Sequence, residues 1–330
     1  MSSIADLTFT SATCTLKQVV VKRTISNTPN ANPVNQTFSI TTGNCQEVLS
    51  TYGENFFHSC ITDPPYGMGM DHWDHSVPDV NIWREVYRTL RPGAFCLAFC
   101  SPELYHRLAC NVEDAGFVIK DQIMWMTTTK MAKYNRLKPA HEPIVVGQKP
   151  YKGSLKDNHE KWGCGLIDTD NTRVPWEKEP PKGWVAQGSK RRTFGRAGIT
   201  TGTAKDYGTT DANPAGRYPM NIIGEVNESE QKYFYAPRAN RKEKGENNDH
   251  PTVKPIALME YLIKIYSPEG STVLDPFCGS GSTGVAAIQQ YRKFVGIDLD
   301  EHYTDIARQR CEEVSNPLLS SVTVPPKVSL

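Results

Sequence analysis

Apolar runs and helical repeats follow one another along the first half of the chain. Four apolar runs have the length of strands, at Phe56–Thr62, Ala94–Cys100, Phe117–Trp125 and Ile144–Gln148. Between the first two runs, Ile82, Val86 and Leu90 recur at helical spacing. Arg91-Pro92-Gly93 is expected to end this helix, because proline and glycine interrupt helical backbone.

The alternation continues beyond this point and returns near the carboxyl end. Ser101-Pro102 supplies an N-cap and a first-turn proline for a second helix, which is expected to end near Gly116. Further strands are expected at Tyr218–Ile223, Ser271–Leu274 and Lys293–Ile297, and further helices at Pro255–Tyr266, Ser282–Gln290 and Glu301–Glu312. Strands that alternate with helices predict an α/β protein with a mostly parallel sheet covered by helices.

Three segments lie outside this pattern. Residues 1–35 are polar and rich in Asn, Thr and Pro, and residues 315–330 resemble a tail. Residues 149–215 contain nine glycines without apolar periodicity. A segment of this length inside a compact domain is usually functional or disordered.

Charge distinguishes the central segment from the rest of the chain. The net charge of the 330 residues is only +1, yet 17 basic and 9 acidic residues lie between Lys130 and Arg217. The remainder holds 20 basic and 27 acidic residues. A basic segment within a mildly acidic body is typical of a polyanion-binding insert, although a solvated lysine-rich loop has the same composition.

Composition favours a cytoplasmic protein. No stretch approaches 18 consecutive apolar residues, so no transmembrane helix is expected, and the N-terminus lacks the pattern of a signal peptide. Nine cysteines at irregular spacing, with no CxxC pair, predict reduced and mostly buried thiols.

The most informative glycines lie between a predicted strand and a predicted helix. Gly279, Gly281 and Gly284 match G-x-G-x-x-G, and Asp298 ends the next strand, where it could accept hydrogen bonds from a ribose. Asp275 precedes the loop and would repel the pyrophosphate of a dinucleotide, whereas it would attract an ammonium group. The loop therefore favours S-adenosylmethionine over a nicotinamide dinucleotide.

A second turn, Asp63-Pro64-Pro65-Tyr66, directly follows an apolar strand. Two prolines fix the backbone and leave rigid carbonyl acceptors. An exocyclic amine of adenine or cytosine is a poor nucleophile, and acceptors at the Asp63 carboxylate and the Pro64 carbonyl would localise its lone pair. The Tyr66 ring could stack on a base extruded from the duplex. Such a site would act mainly by positioning and electrostatics.

These two turns resemble the motifs of the amino-directed DNA methyltransferases, which make N6-methyladenine or N4-methylcytosine. The family's catalytic motif is similar to Asp63–Tyr66. Its cofactor motif is similar to Asp275–Thr283, which comprises Asp275, Pro276, Phe277, Cys278, Gly279, Ser280, Gly281, Ser282 and Thr283. A third signature, His250–Pro255, brings Thr252 and Lys254 to the methionine end of the cofactor. Asp298 corresponds to the ribose-binding acid, and Gly43-Asn44-Cys45 resembles the border of the adenine site.

The order of the motifs, with the catalytic one first, resembles the β subclass. This resemblance implies a seven-stranded, mostly parallel, doubly wound sheet of the S-adenosylmethionine-dependent methyltransferase type, circularly permuted and carrying an inserted target-recognition region. The implied divisions are an N-terminal extension at 1–36, a catalytic half at 37–148, a target-recognition insert at 149–215 with a basic flank from about 126, a cofactor-binding half at 216–314 and a tail at 315–330.

The implied activity is transfer of a methyl group from S-adenosylmethionine to the N6 amine of a flipped-out adenine in double-stranded DNA. Asp rather than Ser at position 63 favours adenine. Cytosine-N4 methylation is the alternative within the family, and a nicotinamide-dependent oxidoreductase is the alternative from another class. The resemblance makes a homodimer and a cognate restriction endonuclease plausible, and the chain would associate with the nucleoid through DNA.

Two clusters of polar residues remain. The expected DNA contacts are basic residues in and beside the insert, namely Lys130, Lys133, Arg136, Lys138, Lys190, Arg191, Arg192 and Arg196. The segment Asp71-His72-Trp73-Asp74-His75 could suggest a metal site, but a polar loop near the active cleft is the preferred interpretation. No metal is expected, because the family's chemistry needs none.

Overall fold

The computed structural model describes residues 37–69, 74–127, 139–176, 212–224 and 253–315, together with the backbone of four short strands between 184 and 210. The strands are β1 Phe38–Thr42, β2 Phe57–Thr62, β3 Leu90–Phe99, β4 Val118–Met126, β5 His141–Gln148, β6 Trp184–Val185, β7 Arg192–Gly195, β8 Gly198–Thr201, β9 Thr209–Thr210, β10 Ile222–Gly224, β11 Thr272–Asp275 and β12 Lys293–Asp298. The helices are α1 Cys45–Ser50, α2 Val80–Thr89, α3 Tyr105–Asp114, α4 Leu155–Trp162, α5 Ile256–Tyr266, α6 Ser282–Gln289 and α7 Glu301–Ser315.

Eight of these strands form one mostly parallel sheet in the order β1-β12-β11-β2-β3-β5-β4-β10. Only β5 runs antiparallel to its neighbours within this sheet. The α/β class and the mostly parallel sheet are therefore confirmed. One strand more than the expected seven is present, because β10 pairs with the edge of β4 through three residues.

Helices cover both faces of the sheet, and each face has its own buried cluster. Ile61 and Leu97 pack on one face with Leu258 and Leu262 of α5. Their strand neighbours Cys60 and Cys96 pack on the other face, with Trp83 of α2 and Leu108 of α3. Strands buried on both faces explain why the central apolar runs are continuous rather than alternating.

Two expected helix boundaries are wrong. Leu90, expected at the end of α2, is the first residue of β3. The Arg91–Gly93 segment lies inside this strand, where Gly93 has a φ of +84° and the register with β2 shifts. Helix α3 begins at Tyr105 rather than at Ser101, because the Ser101 carbonyl accepts hydrogen bonds from the amides of Leu104 and Tyr105 and a turn precedes the helix.

The sheet brings the two sequence motifs to one edge. β11 lies between β12 and β2 and is parallel to both. The carboxyl ends of these three strands therefore meet at the same edge, where open α/β sheets bind ligands. Asp63 follows β2, Asp275 ends β11 and Asp298 ends β12.

Two expectations from composition concern helices and thiols. Among the described residues, no helix combines the length and the apolar character that crossing a membrane requires. Eight cysteines are described and none forms a disulfide; seven of them are buried, and Cys110 is exposed.

Candidate active site

One cavity of about 320 Å³ opens at this edge, a volume typical of small-ligand sites. All four residues of the Asp63–Tyr66 turn line it, and so do Lys254 and Asp298. The lining residues from the glycine-rich loop are Asp275, Phe277, Cys278, Gly279, Ser280, Ser282 and Thr283. The two turns that the sequence singles out thus share a single site.

Asp275 is the buried carboxylate at the base of the glycine-rich loop. Its side chain accepts hydrogen bonds from the Thr283 hydroxyl at 2.6 Å and from the Phe277 amide at 3.1 Å. Burial raises the pKa of Asp275 to about 7, although hydrogen bonds from Thr283 and Phe277 oppose that rise. A ligand ammonium would stabilise the ionised carboxylate, so the site fits a cationic amine.

Asp298 holds the opposite side of the loop. Its carboxylate accepts hydrogen bonds from the amide of Gly279 at 2.7 Å and from the amide of Asp300 at 3.1 Å. Burial raises its pKa, and these backbone amides lower it. The adjacent Leu299 is 71% exposed and lines the same cavity, which provides an apolar surface beside the carboxylate.

The remaining glycines of the motif pack the loop against the fold. Gly281 has a φ of +82°, and a Cβ at this position would lie 2.8 Å from the Cβ of Ala307 in α7. A Cβ on Gly284 would lie 2.7 Å from both Phe294 and Cys311. Gly281 and Pro276, which the resemblance assigned to the cofactor, are absent from the cavity lining.

Asn44 lies close to the end of β12 but has a local partner. It is the N-cap of α1, and its side-chain oxygen accepts a hydrogen bond from the amide of Gln46 at 2.9 Å. The preceding Gly43 donates its amide to the Asp298 carbonyl at 2.9 Å. The segment that resembles the adenine border therefore lies beside the predicted ribose-binding acid.

The Asp63–Tyr66 turn carries a network of charged groups. One carboxylate oxygen of Asp63 accepts a hydrogen bond from the Tyr66 hydroxyl at 2.7 Å, and the other forms an ion pair with the ammonium of Lys254. Burial raises the pKa of Asp63, and the Lys254 ammonium opposes this rise. Burial lowers the pKa of Lys254, but the neighbouring carboxylates outweigh it and raise that pKa above its usual value.

The location of Lys254 differs from the role that the resemblance suggested. Lys254 was predicted to bind the cofactor, and its side chain does line the cavity. Its ammonium, however, contacts the carboxylate of Asp63. Thr252, its partner in that prediction, lies outside the described residues.

Glu142 is a site residue that the sequence did not reveal. It lies in β5 with only 7% of its surface exposed. Its Oε2 atom is 3.0 Å from the Tyr66 hydroxyl and 3.6 Å from the Lys254 ammonium. The one available signal was an acidic residue two positions before the apolar run at Ile144–Gln148, which by itself does not indicate a site residue.

The loop after Tyr66 is held by a carboxylate from the cluster that could suggest a metal. Asp74 is buried, and its two oxygens accept hydrogen bonds from the amides of Gly67 at 2.6 Å and Met68 at 3.1 Å. Residues 71–73 lie outside the described part. The described residues contain no group of three His, Cys, Asp or Glu side chains suited to a metal ion.

The structure does not describe the side chains of the residues that are predicted to contact DNA. Seven of the eight lie outside the described residues, namely Lys130, Lys133, Arg136, Lys138, Lys190, Arg191 and Arg196. For Arg192, the structure gives only its position in β7. These contacts remain predictions.

The fold is an α/β sheet whose cavity is lined by the glycine-rich loop and by the carboxylates of Asp63, Asp275 and Asp298. A family model described as DNA methylase, of the N6/N4 type, matches residues 57–309. The chain belongs to this family of N6/N4 DNA methylases. Its methyl donor is S-adenosylmethionine, as the glycine-rich loop predicted.

Individual relatives agree with this family. The chain is 27% identical to the type II methyltransferase M.HpaI of Haemophilus parainfluenzae over 286 residues, which cover 83% of this chain and 74% of the relative. It is 24% identical to M.HindIII of Haemophilus influenzae, with 78% and 89% covered. The cytosine-N4-specific PvuII DNA methyltransferase shares the fold, at 14% identity and a TM-score of 0.51, with 86% and 93% covered.

Proposed function

We propose that this protein methylates the N6 amine of adenine in double-stranded DNA, after the target base has been flipped into the cavity. One observation carries the proposal: the Asp63 carboxylate and the Asp275 carboxylate line the same cavity at one edge of the sheet. Asp63 is suited to the target amine and Asp275 to the methyl donor's ammonium. The family membership argues against the nicotinamide-dependent oxidoreductase.

The chain's own residues provide acceptors and orientation. S-adenosylmethionine supplies an electrophilic methyl carbon attached to a sulfonium sulfur. Asp63 accepts a hydrogen bond from the target amine, and Pro64, rigid within the turn, offers its carbonyl to the second amine hydrogen. These two acceptors direct the nitrogen lone pair out of conjugation with the ring. The Tyr66 ring, which lines the cavity, can stack on the base while its hydroxyl holds Asp63 in place.

The cofactor end of the cavity has a different composition. Asp275 receives the ammonium, Asp298 receives the ribose hydroxyls, and Leu299 supplies an apolar surface for the adenine ring. The cofactor's ammonium and the target base's amine thus meet different carboxylates. The ammonium is cationic and meets the buried carboxylate of Asp275. A neutral aromatic amine meets a carboxylate that already has a counterion.

The choice of adenine over cytosine rests on Asp at position 63. The insert at 149–215 and its basic flank would grip the duplex and recognise the target sequence. M.HpaI and M.HindIII are type II methyltransferases, which supports a role in restriction–modification with a cognate endonuclease.

Product analysis tests this proposal. The protein is incubated with duplex DNA of mixed sequence and S-adenosylmethionine labelled in the methyl group, and the DNA is then digested to nucleosides. We expect label in N6-methyladenine only. Label in N4-methylcytosine would overturn the choice of base, and unlabelled DNA would overturn the activity.

A further inference from the structure

Glu142 places a second carboxylate beside the catalytic turn, where neither of the two sequence motifs reaches. It comes from β5, whereas Asp63 follows β2 and Lys254 precedes α5. The side chain of Glu142 is 9% exposed and that of Lys254 is 7% exposed. Burying a carboxylate is unfavourable unless it is paired, so the position of Glu142 needs a physical reason.

The Lys254 ammonium lies between the two carboxylates. It contacts Asp63 directly and lies 3.6 Å from Oε2 of Glu142. An ammonium has three donors and can therefore serve both acceptors. The Lys254 ammonium thus links the two carboxylates in one buried network.

Aromatic rings surround the same ammonium. Its nitrogen is 5.1 Å from the ring centroid of Phe99, 5.4 Å from that of Tyr66 and 6.0 Å from that of Trp125. Ring faces attract cations over such distances without fixing them in one direction. The ammonium can therefore move between the carboxylates while it remains in a favourable environment.

The target amine and the Lys254 ammonium need the same acceptor. Both oxygens of Asp63 already have donors in this structure, from Tyr66 and Lys254. An arriving amine must share or displace one of them. Glu142 is within hydrogen-bond distance of the Tyr66 hydroxyl and close to the ammonium, so it offers both donors an alternative acceptor.

We propose that Glu142 is a positioning residue for methyl transfer: it holds Lys254 and Tyr66 at the catalytic turn and takes over the Lys254 ammonium when the target amine donates to Asp63. This inference rests on the proposed function, in which Asp63 receives the amine. Glu142 does not contact the substrate. It influences how strongly the Lys254 ammonium binds Asp63 before the base arrives.

The charge environment of Asp63 makes the proposal measurable. The groups that face or influence this carboxylate are Lys254, Glu142, Tyr66, Asp275 and Cys100. The negative charge of Glu142 raises the pKa of Asp63, and the positive charge of Lys254 lowers it. Removing the charge of Glu142 should therefore lower the pKa of Asp63, and removing the charge of Lys254 should raise it.

The test compares Glu142→Gln with Lys254→Met. Glutamine keeps the size of the side chain and an acceptor for Tyr66 but loses the charge that attracts Lys254. We expect Glu142→Gln to lower kcat by about 10²-fold, as for a misplaced catalytic group, with unchanged affinity for S-adenosylhomocysteine. Activity requires ionised Asp63, so the acidic limb of the pH–rate profile should move to lower pH in Glu142→Gln and to higher pH in Lys254→Met.

Glu85→Gln is the matched control, because Glu85 is a partly buried carboxylate that pairs with Arg88 in α2, away from the cavity. It should leave both kcat and the pH profile unchanged. A Glu142→Gln variant that loses activity without any shift of the acidic limb would reduce Glu142 to a structural role and overturn the proposal. Wild-type activity in this variant would overturn it as well.

A measurement that needs neither DNA nor cofactor tests this inference separately from the proposed function. The pKa of Asp63 is followed by ¹³C NMR of its carboxyl carbon, assigned through Asp63→Asn, in the wild type and in both variants. We expect opposite shifts even if the wild type methylates another base or none. If Glu142→Gln does not fold, Glu142→Asp decides, because it keeps the charge but shortens the reach to Lys254 and Tyr66: wild-type kcat in that variant overturns the proposal.

Discussion

The two ends of the cavity hold their carboxylates in different ways. At the cofactor end, Asp275 and Asp298 are fixed by nearby backbone amides and by Thr283, all within one strand–loop–helix–strand unit. At the catalytic end, Asp63 is paired with Lys254, which comes from a distant part of the chain. The carboxylates of the cofactor end thus have local partners, whereas in the proposed reaction the Lys254 ammonium must share Asp63 with the target amine.

Under the proposed function, this difference follows from what each end would bind. The cofactor's ammonium is cationic, so its charge can stabilise the ionised carboxylate of Asp275 directly. Rigid acceptors are sufficient for this interaction. A target amine is neutral and donates weakly, so its acceptor must stay ionised before the base arrives. The Lys254 ammonium favours the ionised form, because it opposes the rise in the pKa of Asp63 that burial causes.

The largest expected effect comes from removing Asp63, which breaks the catalytic end alone. We expect Asp63→Ala to reduce methyl transfer by about 10³-fold, as for the loss of a preorganised electrostatic group. Cofactor affinity should not weaken, because the charge of Asp63 raises the pKa of Asp275 and its removal favours the ionised form. Methyl-transfer kinetics and calorimetric titration measure the two quantities.

Lys254 retains Glu142 as a partner in this variant, so the fold should persist. Asp63→Asn serves as the matched control, since it keeps one acceptor and the shape of the side chain. Turnover near that of the wild type in Asp63→Ala would show that the catalytic assignment is wrong. Loss of cofactor binding would show that the two ends are not separable.

The next largest effect concerns Asp275 and depends on pH. Protonation of Asp275, whose pKa is raised to about 7, competes with the ligand ammonium. We expect S-adenosylhomocysteine affinity to increase about tenfold per pH unit up to pH 7 and then to level off. Asp275→Asn should weaken binding about 100-fold at pH 8 and remove this dependence.

Isothermal titration between pH 5.5 and pH 8 measures both effects. Asp74→Asn is a suitable comparison, because Asp74 is another buried carboxylate on the cavity but has two loop amides as partners. A flat pH response in the wild type would contradict the role of Asp275.

The rigidity of the cofactor end can be tested at Gly281. An alanine there would adopt a positive φ and place its Cβ against Ala307 of α7. Gly270 has a similar φ of +73° but nothing within 4 Å of an added Cβ. We expect Gly281→Ala to lower the free energy of unfolding by about 2 kcal/mol more than Gly270→Ala, because only the first is overpacked. Urea denaturation measures the difference, and equal losses would show that packing on α7 does not support the loop.

The smallest expected effect is that of the Thr283 hydroxyl. Thr283→Val removes the 2.6 Å hydrogen bond to Asp275 and so raises the pKa of this carboxyl further. At pH 7 we expect about tenfold weaker cofactor binding, the value of one hydrogen bond to a charged group. Thr283→Ser keeps the hydroxyl and should bind nearly as the wild type does. Unchanged affinity in Thr283→Val would show that the Thr283 hydroxyl does not contribute to cofactor binding.

The same contrast explains what could be predicted from the sequence. The cofactor end is local: Asp275, Gly279 and Thr283 lie in one loop, and Asp298 ends the next strand. Their spacing alone predicts their proximity. The turn at Asp63 was also predictable, because its prolines directly follow an apolar strand.

The partners of Asp63 could not be found in this way. Glu142 and Lys254 reach it from β5 and from the segment before α5, and only the strand order of the folded sheet brings these parts together. Likewise, the start of α3 depended on a turn at Ser101 that a capping pattern does not reveal. Local patterns thus identified the motifs, whereas the charge network required the topology.

A crystal structure with bound S-adenosylhomocysteine tests the division between the two ends most directly. We predict that the ligand's amino group lies within hydrogen-bond distance of the Asp275 carboxylate and its ribose hydroxyls at Asp298, while Lys254 remains paired with Asp63. An amino group bound at Asp63, with Lys254 displaced, would contradict the assignment of separate roles to the two carboxylates.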